Sequence, residues 1–205
     1  MAETLAAEIG GLAIYDPEPD APIKSPWRTL RHVLETRPQE ATNLVIVQDD
    51  VTLCPGFRDA AQAAVEARSD RLILFFVAGR PELHARAVWQ SCERDQAWAD
   101  LPDAHFLAMV AVAWPVALIG PMLAFVDQQG WRDDFSADDE RVCRWARYAG
   151  VRPLSTVPNL VQHEDKPLSL IGRRTMGGQD AGRTSCCFVG DCDPPVDVAA
   201  IDWTK

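Results

Sequence analysis

Lysine is nearly absent from this 205-residue chain, which carries only Lys24, Lys166 and Lys205. None of them falls near a predicted strand end. That argues against a phosphohydrolase with Asp49 as nucleophile, a chemistry that wants a lysine partner and further acids at the sheet edge. A glycine-rich phosphate loop is missing as well, since Gly177-Gly178 lacks the flanking pattern of a P-loop or dinucleotide turn. Basic charge is in deficit overall: Lys+Arg number 20 against 30 Asp+Glu, a formal charge of −10. Stable binding along a nucleic-acid backbone or an anionic membrane is therefore not expected. The start of the chain, Met1-Ala2-Glu3-Thr4-Leu5, lacks the basic region of a secretory signal. With no such signal, the six cysteines read as reduced thiols and a cytoplasmic location is expected. Cys186-Cys187 and Cys192 lack the second cysteine pair that a structural zinc site requires.

The longest uncharged run, residues 106–126, is long enough to cross a bilayer. Trp114-Pro115 and Gly120-Pro121 interrupt it, and Asp103 and Asp127 flank it without a basic anchor. The run is instead expected to hold a buried strand from Leu107 to Ala113, with Pro115 starting a helix. Elsewhere strand and helix signals alternate, which predicts one α/β domain. Leu5–Ile9 reads as helix and Gly11–Tyr15 as a short strand. After a loop containing Pro17, Pro19 and Pro22, Ser25-Pro26 supplies an N-cap and a first helical proline. Trp27, Leu30, Val33 and Leu34 then share one helical face. A second helix carries Phe57, Ala60, Ala61, Ala64 and Val65. Arg71–Val77 reads as a central strand, residues 82–104 as a helix and a surface loop, and Leu154–Leu160 as extended chain broken by Pro158.

The strand Leu44-Val45-Ile46-Val47-Gln48 stops at two adjacent carboxylates, Asp49 and Asp50. Ligands of open α/β sheets bind at the carboxyl ends of strands, and hard oxygen donors there suit Mg²⁺ or Mn²⁺ on a diphosphate. A simple turn is the competing reading, because Asp is common in turns. Asp138 and Asp139 open a helix whose C-terminus is Gly150, with Ser136 and Asp139 spaced like a capping box. The helix dipole favours their ionised form, so they read either as caps or as a base able to accept a hydroxyl proton. His163 reads in isolation as a surface histidine, and His32, His84 and His105 as structural. Asp133-Asp134 reads as solvated charge.

Taken together, four segments resemble the small bacterial and phage GT-A-type glycosyltransferases related to the lipooligosaccharide galactosyltransferase-like group. Val45–Val51 resembles the strand-end version of the DxD motif, and Ser25–Leu30 the helix before it. Asp138-Asp139-Glu140 with Trp145 resembles the acceptor-side acidic helix. Pro158-Asn159-Leu160-Val161-Gln162-His163 resembles the terminal P-S-L-V-x-H segment, followed by Ser169–Gly172. The likeness spans roughly residues 10 to 175.

It implies a single GT-A-like (Rossmann-like) domain over residues 1–175, with a mostly parallel central sheet whose first strand is absent or cut short. Residues 176–205 would be a loop or tail packing on the same domain. The implied activity is hexosyltransferase-like: a sugar passes from a nucleotide-sugar donor to a hydroxyl of a glycan, nucleobase or protein acceptor. Asp50, helped by Asp49, would hold Mn²⁺ or Mg²⁺ against the donor diphosphate, and His163 would be a further metal ligand or a phosphate contact. Gln48 replaces an acid often found in the motif and would hydrogen-bond a ribose. Asp138 or Asp139 would be the base, and Arg173, Arg174 or Arg183 would close over the phosphates. A degenerate, non-catalytic nucleotide-binding protein of the same fold is the alternative.

Overall fold

The computed structural model describes residues 2–80, 82–102, 109–131, 137–164 and 184–205. Among the described residues, six α-helices and seven strands are arranged in three layers around a five-stranded sheet. The helices are α1 (Ala2–Ile9), α2 (Pro26–Glu35), α3 (Phe57–Ala67), α4 (Glu82–Glu93), α5 (Val116–Gln129) and α6 (Asp138–Ala149). The strands are β1 (Asn43–Val47), β2 (Val51–Leu53), β3 (Ile73–Leu74), β4 (Trp98–Asp100), β5 (Ala111–Pro115), β6 (Leu154–Thr156) and β7 (Val161–His163). The main sheet has the order β1-β5-β3-β6-β4, and β2 and β7 form a separate antiparallel ribbon.

The domain is α/β as expected, but its sheet is mixed and mostly antiparallel rather than mostly parallel. Only β3 and β6 pair in parallel; β1–β5, β3–β5 and β4–β6 are antiparallel. The reason lies in the connections. The single helix α3 returns the chain so that β3 runs parallel to β1, but two helices, α5 and α6, stand between β5 and β6 and reverse it, and β4 runs opposite to β3 although only α4 lies between them. Residues 82–102 likewise hold a helix and then an edge strand, β4, where a surface loop was expected.

Other local differences have similar causes. Gly11–Tyr15 forms no strand, and Leu12 is 87% exposed. The main sheet begins instead with β1, which lies at its edge. Leu72 to Val77 are all buried, yet only Ile73–Leu74 keep a ladder. Beyond them the backbone turns to other partners, with Phe75 O accepting from Leu160 and Val161 and the Val77 N–H donating to Asn159 Oδ1. The strand expected over Leu107–Ala113 lies at Ala111–Pro115, and Pro115 is the N-cap residue of α5. Ser136 lies outside the described residues, and the N-cap of α6 is Ala137, which has no side-chain cap. Asp138 and Asp139 thus follow the cap rather than belong to a capping box.

The expected helix termini are otherwise found. Ser25 Oγ accepts the Arg28 N–H at 3.2 Å, with Pro26 in the first turn of α2. Gly56 enters α3 at φ 76°, a conformation that favours glycine. On one face of the sheet, α2, α5 and α6 bury Trp27, Leu30, Leu34, Ile119, Met122, Val142 and Trp145. Val33 is only partly buried. Trp114 and Trp145 stack at 6.0 Å, a contact worth about 0.5–1.5 kcal/mol beyond the area it buries. The other face is covered by α3, whose Ala60, Ala61 and Ala64 allow close approach, and by the β2–β7 ribbon and Trp203. Among the described residues no helix is long and apolar enough to cross a membrane.

Candidate functional site

β1, β3 and β6 run in the same direction, so their carboxyl ends share one edge of the sheet. Gln48 extends the β1–β5 ladder by one bond, its N–H donating to Val110 O at 2.8 Å. Asp49 and Asp50 are therefore the first residues beyond the sheet. The chain then enters β2, whose antiparallel partner β7 ends at His163; Val51 pairs with His163, Thr52 with Gln162 and Leu53 with Val161. The Glu164 N–H donates to Asp50 O at 2.8 Å and carries the pairing one residue further. This ribbon joins two parts of the chain that are remote in sequence. It sets His163 Nε2 3.3 Å from Asp50 Oδ2.

The imidazole is largely enclosed, with 9% side-chain exposure against 33% for Asp50. One of its neighbours is the Phe76 ring, at 6.2 Å between centroids. The strand that carries His163 is clamped from both sides. Gln162 Oε1 accepts the N–H groups of His163 and Ser185, and Thr52 Oγ1 donates to Glu164 Oε1. His163 thus belongs to a built contact with Asp50, a partnership that its acidic sequence neighbours gave no sign of.

A second wall comes from residues before α2. Tyr15 OH donates to Glu3 Oε1 at 2.8 Å. That bond, followed by smaller contributions from desolvation and from the charges of Glu3 and Asp49, raises the phenol above its ordinary value. Asp16 accepts a two-pronged ion pair from Arg28, Nε to Oδ1 at 2.7 Å and Nη2 to Oδ2 at 2.6 Å. The guanidinium holds the Asp16 carboxyl below the usual range. Arg28 also lines a cavity of about 250 Å³ with Trp27, Arg31, Val126, Trp131 and Arg141. Arg141 is 1% exposed and stacks over Trp27 at 5.2 Å.

Asp138 and Asp139 stand one turn before Arg141 on α6. They are 6% and 9% exposed, and Asp139 Oδ1 accepts the Glu140 N–H at 2.7 Å. They lie in the helical layer with α2 and α5, not on the β2–β7 ribbon. Because α6 leads back to the amino end of β6, its own amino end faces the edge where Asp49 and Asp50 leave the sheet. The acidic pairs therefore share an edge while occupying different layers.

Arg173, Arg174, Arg183, Asp133, Asp134 and His105 lie outside the described residues. Among the described residues, no group of three His, Cys, Asp or Glu side chains could hold a metal by itself. At 3.3 Å, Asp50 Oδ2 and His163 Nε2 are in direct contact as a histidine–carboxylate pair. Sequence reading did not single out Tyr15, Asp16, Arg28 or Arg141 as site residues. The available signal was Arg28, one turn into a capped helix and following a loop with several acids. Comparison of the chain with protein-family models, with curated proteins and with solved structures found no match.

Proposed function

We propose that the chain is a metal-dependent glycosyltransferase that moves a sugar from a nucleotide-sugar donor to an acceptor hydroxyl. The observation that carries the reading is the meeting of Asp50 with His163 at the carboxyl end of β1, beside Asp49 and at the edge where α/β sheets take ligands. Asp50 and His163 would hold the cation, with Asp49 adding negative charge. The mixed oxygen and nitrogen donors favour Mn²⁺ over Mg²⁺. A bound cation supplies charge stabilisation for the departing nucleoside diphosphate.

The remaining roles belong to the protein's own groups. Gln48, at the end of the ladder, would hydrogen-bond a ribose. Asp138 or Asp139 would accept the proton of an acceptor hydroxyl entering from the cavity between Trp27 and Trp131. A non-catalytic nucleotide-binding protein is the second reading. It is favoured by one observation: β1 is an edge strand, with Gly11–Tyr15 unpaired beside the site.

The test is thermal stabilisation by UDP, GDP, dTDP and CDP, each with and without Mn²⁺, in the wild type and in Asp50→Asn. Binding to the native state raises the unfolding midpoint by mass action. A shift for one nucleotide that requires Mn²⁺ and vanishes in Asp50→Asn is expected. Undiminished Mn²⁺-dependent binding in Asp50→Asn would remove the metal assignment. Metal-dependent binding without turnover, across a range of donor sugars and acceptors, would favour the second reading.

A further inference from the structure

Away from the carboxylates, a cluster of thiols joins α4 to the segment that covers the strand ends. Cys92, in the last turn of α4, has its Sγ 3.2 Å from that of Cys187. Cys192 lies in the same segment, its Sγ donating to Phe188 O. The other cysteines face elsewhere. Cys54 and Cys143 are buried in the core, and Cys186 turns its Sγ toward Asn159 Oδ1.

Residues 184–189 are held against the carboxyl ends of β3 and β6. The Gly79 N–H donates to Thr184 O, the Cys186 N–H to Val77 O and the Asn159 N–H to Cys187 O. Ser185 donates to Gln162, the neighbour of His163. Helix α4 already touches this segment, because Trp89 Nε1 donates to Cys186 O at 2.9 Å. The backbone on both sides of the thiol pair is therefore positioned before any bond forms.

We propose that Cys92 and Cys187 form a reversible disulfide that responds to low-molecular-weight disulfides such as oxidised glutathione, and that it staples the 184–189 segment onto the edge beside His163. Each step balances. The Cys92 thiolate attacks one sulfur of the oxidant, giving a mixed disulfide and releasing one glutathione thiolate. Cys187 then loses its proton and attacks the Cys92 sulfur, which forms the internal bond and expels the second glutathione. The two protein thiols are oxidised by two electrons and the oxidant is reduced by two. Cys92 suits the first step because it is solvent-exposed, and its contact with the Cys187 thiol lowers its value. The same contact, with burial, raises Cys187, so it is the second thiol to react. Burial pushes Cys186 up to about 12 and Cys54 up to about 11, which keeps both out of the exchange. A pair of this kind fits a reducing compartment, where protein disulfides are usually transient or redox-sensing.

The experiment uses the full chain incubated with oxidised glutathione, then alkylated, digested without reductant and mapped by mass spectrometry. The expected product is a Cys92 peptide linked to a Cys187 peptide, lost on adding dithiothreitol and absent in Cys92→Ser. Cys92→Ser should keep the wild-type circular dichroism, since the residue is exposed. Glutathione carried separately on Cys92 and Cys187, or a bond between Cys187 and Cys192 in place of the expected one, would overturn the proposal. As a second readout, the oxidised wild type should unfold about 5–15 °C higher than the reduced protein, given typical disulfide stabilisation and a domain of this size. A midpoint that falls on oxidation would show that the native fold does not accommodate the bond, and would also overturn it.

Discussion

Replacing Asn159 with Ala should cost this protein a large part of its stability, because one fully buried amide holds three pieces of the site edge together. Its Oδ1 accepts the Val77 N–H at 3.0 Å and the Ser185 hydroxyl at 2.9 Å. Its Nδ2 donates to Ser155 Oγ at 3.0 Å and to Thr156 O at 2.9 Å. Those bonds tie the end of β3, the strand β6 and the 184–189 segment into one unit. Each net hydrogen bond contributes about 1 kcal/mol, and a buried donor left without an acceptor costs about 1–3 kcal/mol more. Ser185 is only partly buried and can turn to water, so its loss is discounted. The sum for Asn159→Ala is about 4 kcal/mol, a serious fraction of the roughly 5–15 kcal/mol that holds a typical domain folded. Urea unfolding followed by tryptophan fluorescence should show a lower midpoint at unchanged slope. Asn159→Asp should cost as much at neutral pH, because it sets an acceptor against Thr156 O, and should recover in part when acid restores a donor. A loss below about 1 kcal/mol in Asn159→Ala would refute the reasoning, since that is the size of a single exposed bond.

Asp138→Asn and Asp139→Asn should leave metal-dependent nucleotide binding intact, and at least one should slow sugar transfer by about 10²–10⁴-fold, the usual worth of a positioned base. If both turn over normally, the base lies elsewhere. Asp16 gives a pH signature of known sign. Its pairing with Arg28 lowers the folded-state value, so the pair's stabilisation is complete above the ordinary value of 3.8 and disappears as pH falls through the lower folded one. Asp16→Asn should thus be less stable than the wild type at neutral pH and equal to it in strong acid. A stability gap independent of pH would show that the ion pair is not its source.

Much of the local structure follows from short-range pattern. The Ser25-Pro26 start of α2, the alanine face of α3, the stop of β1 before Asp49 and the Gly150 end of α6 are each set by neighbours within a turn or two. The uncharged run ending at Val126 resolves into β5 and α5 because Pro115 stands between them. Strand direction was not legible in the same way. It depends on how many helices intervene between paired strands and where each lies, and hydrophobic periodicity reads the same in a parallel and an antiparallel strand. Nor could local pattern show that Gly11–Tyr15 would stay off the sheet, whose edge is β1 instead.

The candidate site divides along the same line. From the sequence alone, paired carboxylates stand out at a strand end and at a helix start, because charge there interrupts a hydrophobic pattern. Only the tertiary structure decided the direct contact of His163 with Asp50 at 3.3 Å, the pairing of Asp16 with Arg28, and the way Asn159 binds the edge together. Those contacts join residues far apart in sequence through the β2–β7 ribbon and the packing of helices on the sheet. Their geometry is set by closure of the whole chain, which no local window contains.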